Sequence, residues 1–142
     1  MLRYLRAAVT TLRLTLRGEK PPHADLYGWM DHTLALVEAV DNAASAAHVD
    51  TAALRVRVDG RDDSMALILK AIRYHTAEEY RYLLRHPTSS AFTAIHASNF
   101  NDQYRIERLL AVVTDPAVRA ALTALRTHLD TLPTPDSRQK PA

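Results

Sequence analysis

From Leu2 to Leu132 apolar residues recur at intervals of three and four along most of the chain, and this spacing leaves few folds open. Such intervals gather side chains on one face of an α-helix, and several apolar faces on one chain can be buried only against one another. Glycine occurs only at positions 18, 28 and 60, so sheet-forming punctuation is scarce. Its 142 residues match one domain able to enclose a hydrophobic core without covalent staples. The expectation is all-α: a helical bundle of four core helices in residues 23–132. A basic amphipathic N-terminal helix at residues 1–20 precedes it, and a disordered tail at residues 133–142 follows.

Within this plan Leu2, Leu5, Val9, Leu12 and Leu16 form one face of the N-terminal helix, and Arg3, Arg6, Arg13 and Arg17 fall on an adjoining face. Gly18 is placed to end it, and Pro21-Pro22 forces an extended connection. Asp25 is the expected N-cap of the next helix, which runs to about Ala47 with Leu26, Trp29, Met30, Thr33, Leu36, Val37, Val40 and Ala44 inward. In residues 48–60, Leu54, Val56 and Val58 alternate with Arg55 and Arg57 like a strand. No second strand run is evident to pair with them, so the segment reads as a connection. Asp62, Asp63 and Ser64 are expected to cap a helix running to His86 and stopped by Pro87, with Met65, Ile68, Leu69, Ile72, Thr76, Glu79 and Leu83 inward. Ser89 or Ser90 caps the next helix, whose row is Phe92, Ile95, Asn99, Gln103, Ile106, Leu110 and Val113. Asp115, with Pro116 at the first helical position, opens the last helix, with Val118, Leu122, Leu125, Leu129 and Leu132 inward.

Composition excludes several classes of chemistry. The chain has no cysteine, which rules out disulfides, thiolate metal sites and a cysteine nucleophile, and fits a reducing, cytoplasmic setting. No stretch reaches the roughly 20 apolar residues of a membrane-spanning helix. No phosphate-binding glycine loop, nucleophile elbow or His-Glu-x-x-His motif occurs, so the familiar forms of catalysis have no support. Net charge is only +2, but Arg3, Arg6, Arg13, Arg17 and Lys20 oppose just Glu19 in residues 1–20. Basic clusters such as Arg55, Arg57 and Arg61 point to nucleic acid, yet acids interleave with them, and neither a helix-turn-helix turn nor an RNA-stacking motif is present.

The informative anomaly is polar residues on apolar faces. Glu79 falls in the middle of its stripe, with His75 one turn earlier, and Asn99 and Gln103 fall within theirs, with His96 beside them. Buried carboxylates need a cation, a metal or a proton, and imidazole with carboxylate is a donor set that iron, zinc and manganese accept. At these residues the chain resembles the hemerythrin-like four-helix bundle family. MDHTLALVEAV is similar to that family's first-helix motif with His32 as ligand, and HTAEEYRYLL to its second, with His75 and Glu79. The resemblance implies a metal set of His32, His75, Glu79, His96 and His128, iron or another divalent metal as cofactor, and oxygen or redox sensing. The pattern departs from the family at Phe92, where a histidine four residues before His96 is expected, and at Pro133, where an aspartate five residues after His128 is expected. A three-histidine metal site of the DinB-like bundle type would use His75 and His96, and lacks the same histidine pair.

The residues themselves favour a protein that acts through surfaces. The leading expectation is a non-catalytic accessory or adaptor protein without a cofactor. It would dock through Leu2, Arg3, Leu5, Arg6, Val9, Leu12, Arg13, Leu16 and Arg17 to a protein partner, a larger complex, or peripherally to an anionic membrane. Competing readings for this helix are packing on the bundle and a cleaved targeting segment. For the chain as a whole, the metal-binding bundle and a small basic subunit of a nucleoprotein complex compete with the adaptor. Tyr74, Tyr80, Tyr82 and Tyr104 are candidate interface residues, and a homo-oligomer is a further partner class.

Overall fold

The structure is a computed structural model and describes residues 24–86 and 94–133, together with Leu5, Ala8, Val9 and Leu12; the side chains of residues 94–97 lie outside the described set. Among these residues the fold is mostly helical, with helices α1 (Ala24–Ala46), α2 (Met65–Arg85), α3 (Ala94–Val112) and α4 (Pro116–Leu129) and one small hairpin, β1 (Arg55–Val58) and β2 (Arg61–Ser64). α1 packs on α2 and α4, and α3 packs on the same two. The expected tail from residue 134 onward, Phe92, the Ser89 and Ser90 caps, and most of the N-terminal segment lie outside the described residues. Leu5, Ala8, Val9 and Leu12 are helical.

Each helix buries the face its spacing selects. In α2 Met65, Ile68, Leu69, Ile72, Thr76, Glu79 and Leu83 are buried, the full inward row expected from the sequence. In α1 and α4 the same holds apart from Leu36 and Leu132, which are partly buried. α3 differs. Among its described side chains Asp102, Ile106 and Leu109 are buried, as is Val113 just past its end, whereas Gln103 and Leu110 sit at the edge. The helix is rotated so that one aspartate faces inward, and Asn99-Phe100-Asn101 does not break it. Each fully buried aliphatic side chain contributes about 1.5–3 kcal/mol, and Met30, Ile68, Ile72, Ile106, Leu122 and Leu125 lie in one cluster.

The ends of the helices are closed by specific groups. Ser64 caps α2 by accepting from the Leu67 amide at 3.1 Å, and Asp115 caps α4 by accepting from the Val118 amide at 3.0 Å, with Pro116 at the first position. Asp25 lies in the first turn of α1, not at its N-cap, and there complements the helix dipole. α1 ends in a Schellman arrangement: His48 is left-handed at φ 57°, its amide donates to the Ser45 carbonyl at 3.2 Å, and the Val49 amide to that of Ala44 at 2.9 Å. Arg119 donates to the Leu110 and Val113 carbonyls, the latter at 2.8 Å, and so closes the C-terminal end of α3.

Residues 48–60 depart from the connection expected there. Val56 and Val58 do pair with a second strand, built from Arg61–Ser64, a run too polar to read as one. The register is Arg55 with Ser64, Val56 with Asp63, Arg57 with Asp62 and Val58 with Arg61. Asp59 at φ 51° and Gly60 at φ 77° make the two-residue turn, the Asp-Gly combination that favours tight hairpins. Val56 and Val58 bury one face, which lies against α3. Asp62 and Asp63 are therefore strand residues, and only Ser64 acts as a cap.

Candidate functional site

Among the described residues, two clusters of polar side chains lie against the apolar interior. The first joins α1 to α4. Trp29 Nε1 donates to the His128 carbonyl oxygen at 3.2 Å and to Thr131 Oγ1 at 3.3 Å, and the Trp29 and His128 rings stack with centroids 4.7 Å apart. Thr33 Oγ1 donates to the Trp29 carbonyl at 2.9 Å and lies 2.8 Å from His128 Nε2, which is itself 3.0 Å from the same carbonyl. A carbonyl oxygen can only accept, so this geometry assigns the ring proton to Nε2. His32 sits 4.6 Å from His128, ring centre to ring centre. Burial lowers the pKa of His128 below its usual value, the nearby His32 lowers it further, and the hydrogen bond to Trp29 works in the opposite direction.

The second group lies between α2 and α3. Glu79 and Asp102 are both only 5% exposed. Arg105 Nη1 approaches Asp102 Oδ1 at 3.6 Å, and His75 and Ser98 also act on that carboxylate. Burial nevertheless dominates and pushes Asp102 up to about 6, with Arg105, His75 and the Ser98 hydrogen bond each pulling it down by less. Asn99 Nδ2 donates to the Leu129 carbonyl at 2.9 Å and ties this region to α4. His75 Nδ1, Asn99 Oδ1, Asp102 Oδ1 and Arg105 Nε are buried without a hydrogen-bond partner among the described residues. Arg105 and Asp102 stand one turn apart on α3, so their pair stays within that helix, and the bond that ties the cluster to a neighbouring helix is the one from Asn99 to the Leu129 carbonyl of α4.

The expected ligands His32, His75, Glu79 and His128 lie among the described residues. His32 and His128 meet between α1 and α4, His75 acts on Asp102 across α2 and α3, Glu79 is buried on α2, and the His96 side chain lies outside the described residues. Among the described residues no three His, Asp or Glu side chains are placed to hold a metal ion. Asp102 escapes a reading of the sequence that phases its row on Asn99 and Gln103, one residue away. The signal for it is its i to i+4 spacing to Ile106 and its i to i+3 spacing to Arg105.

The surface carries further candidates. Leu5, Val9 and Leu12 of the N-terminal segment are 61%, 40% and 58% exposed. Tyr74, Tyr82, Tyr104 and Phe100 are exposed as well, whereas Tyr80 packs its ring 5.2 Å from that of Tyr27 and joins α1 to α2. Burial, and then Tyr80, push the Tyr27 hydroxyl up to about 12. No helix among the described residues is long and apolar enough to cross a membrane. No family model, no curated protein and no solved structure matches the chain. The likeness to hemerythrin-like proteins therefore rests on the short motifs around His32 and His75 alone.

Proposed function

We propose that the protein is a non-catalytic accessory or adaptor domain, a four-helix bundle that works by contact and docks through its basic amphipathic N-terminal helix. One observation carries this reading: Leu5, Val9 and Leu12, which the sequence spacing puts on a single helical face, are exposed while the interior of the domain is already filled by its own four helices. Holding three large aliphatic side chains in water at i, i+4 and i+7 brings a free chain no benefit, and such a row is the usual anchor pattern of a helix that seats on another surface. The Trp29–Thr33–His128 group then serves to fix how α1 and α4 sit together, and the bond from Asn99 to the Leu129 carbonyl does the same for α3 and α4.

Removing residues 1–20 tests the reading. The truncated chain is expected to keep its helical circular dichroism spectrum and its cooperative melt, and to leave the complex or cell fraction with which the full chain travels. Unchanged fractionation of a folded truncated chain would rule out docking through this helix.

A further inference from the structure

We infer that the surface which receives the N-terminal helix is an anionic phospholipid bilayer; this rests on the docking function proposed for that helix and names its partner. Charge is the first argument. Arg3, Arg6, Arg13, Arg17 and Lys20 face only Glu19 in residues 1–20, which gives that segment +4 where the whole chain carries +2. The rest of the protein is thus slightly acidic, so an anionic surface attracts the helix and repels the body that follows it.

The chemistry of the apolar face is the second argument. Leu5, Val9 and Leu12 are exposed, and the row they belong to, Leu2, Leu5, Val9, Leu12 and Leu16, is wholly aliphatic. Protein grooves draw their binding energy mainly from buried aromatic and arginine anchors in shaped pockets. An aliphatic row flanked by arginines instead matches a helix lying in the plane of a bilayer, with leucines among the acyl chains and guanidinium groups at the phosphates. Pro21-Pro22 follows directly in the sequence, and proline disfavours the helical conformation in the residue before it, so the sequence favours a break between this segment and α1.

The experiment is co-sedimentation of the full chain with vesicles of phosphatidylcholine containing about 30% phosphatidylglycerol, against pure phosphatidylcholine. Binding is expected to the anionic vesicles only, and to fall steeply at about 0.5 M salt, where charge is screened within a few ångströms. Arg13→Gln with Arg17→Gln should weaken it about 30-fold, and Leu12→Ser about tenfold or more, each with an unchanged circular dichroism spectrum. Equal binding to neutral vesicles, no binding to anionic ones, or indifference to the arginine pair would overturn the proposal. If vesicles fail while deletion of residues 1–20 still releases the protein from its cell fraction, the helix docks on a protein and only the lipid assignment falls. If that deletion has no effect, the docking function falls with it.

Discussion

The imidazole of His128 lies stacked on the indole of Trp29 at 4.7 Å and 21° between planes, and the same tryptophan donates its Nε1 hydrogen to the backbone carbonyl of that histidine. The two residues sit near opposite ends of the described sequence, so this one contact closes α4 onto α1 through both a ring face and a hydrogen bond.

Trp29 is the single tryptophan, which makes its emission a direct reporter of His128. An imidazolium against an indole face quenches fluorescence more than a neutral imidazole does. Because burial lowers the histidine's pKa, emission should stay high through neutral pH and drop with a midpoint below the ordinary value of about 6.5. The linked stability follows with the same sign. The unfolded chain binds the proton more readily, so the contribution is complete above about pH 6.5 and is lost as pH falls toward the native value. His128→Gln should abolish the transition, and a midpoint at or above about 6.5 in the wild type would contradict the assignment.

Asp102 works in the opposite sense. Its carboxyl is pushed up to about 6, so the folded state holds a proton that the unfolded state has already released. Stability from this group is greatest below about pH 4 and is lost as pH rises through about 6, by at most about 3 kcal/mol. Asp102→Asn should remove that fall while leaving Arg105 without its carboxylate at every pH. Urea unfolding at about pH 4 and about pH 7 checks it through the difference between the two conditions. The variant should lose less stability across that interval than the wild type, and an equal loss would show that Asp102 does not titrate in the interior.

The helical core supplies a prediction independent of the polar groups. Ile72 and Leu122 are buried on α2 and α4, and truncation to alanine removes apolar contact and leaves a cavity that the neighbours fill only in part. Each substitution should cost about 2–5 kcal/mol in chemical denaturation. A cost under about 1 kcal/mol at both sites would mean that these faces are not the packed interior.

The helices are legible in the sequence because their apolar rows are long and their phase is set by many residues at once, as α2 shows. The hairpin is not, because Arg61–Ser64 has no apolar alternation of its own and becomes a strand through pairing with Arg55–Val58 and through the Asp59-Gly60 turn. The alternation of Val56 and Val58 with arginines signals the first strand, but the dipeptide that turns it back lies outside any hydrophobic pattern. Glu79 and His75 stand out as misplaced polar residues on a strong stripe. Asp102 is hidden because α3 carries polar residues on several faces, so a rotation by one residue changes which acid points inward. The pairing of His128 with Trp29 is out of reach, since no local pattern links residues so far apart in the sequence.

Backbone conformation gives a last set of expectations with signs that differ by position. His48 is left-handed at φ 57°, a conformation that costs a residue with a side chain about 1–2 kcal/mol and costs glycine almost nothing. Its capping hydrogen bonds are made by the backbone alone, so His48→Gly keeps them and should stabilise the fold by about 1 kcal/mol. Gly60 at φ 77° is the reverse case: Gly60→Ala meets no atom within 4 Å, yet it should destabilise the hairpin by about 1 kcal/mol through strain alone. Gly28 lies within α1 with open space around it, so Gly28→Ala should raise stability by about 0.5–1 kcal/mol through reduced freedom of the unfolded chain. Thermal melts of the three variants test this directly. The ordering His48→Gly and Gly28→Ala above wild type, with Gly60→Ala below it, is required if the cap and the turn are formed as described, and a stabilised Gly60→Ala would show that the Asp59-Gly60 turn is not the left-handed one.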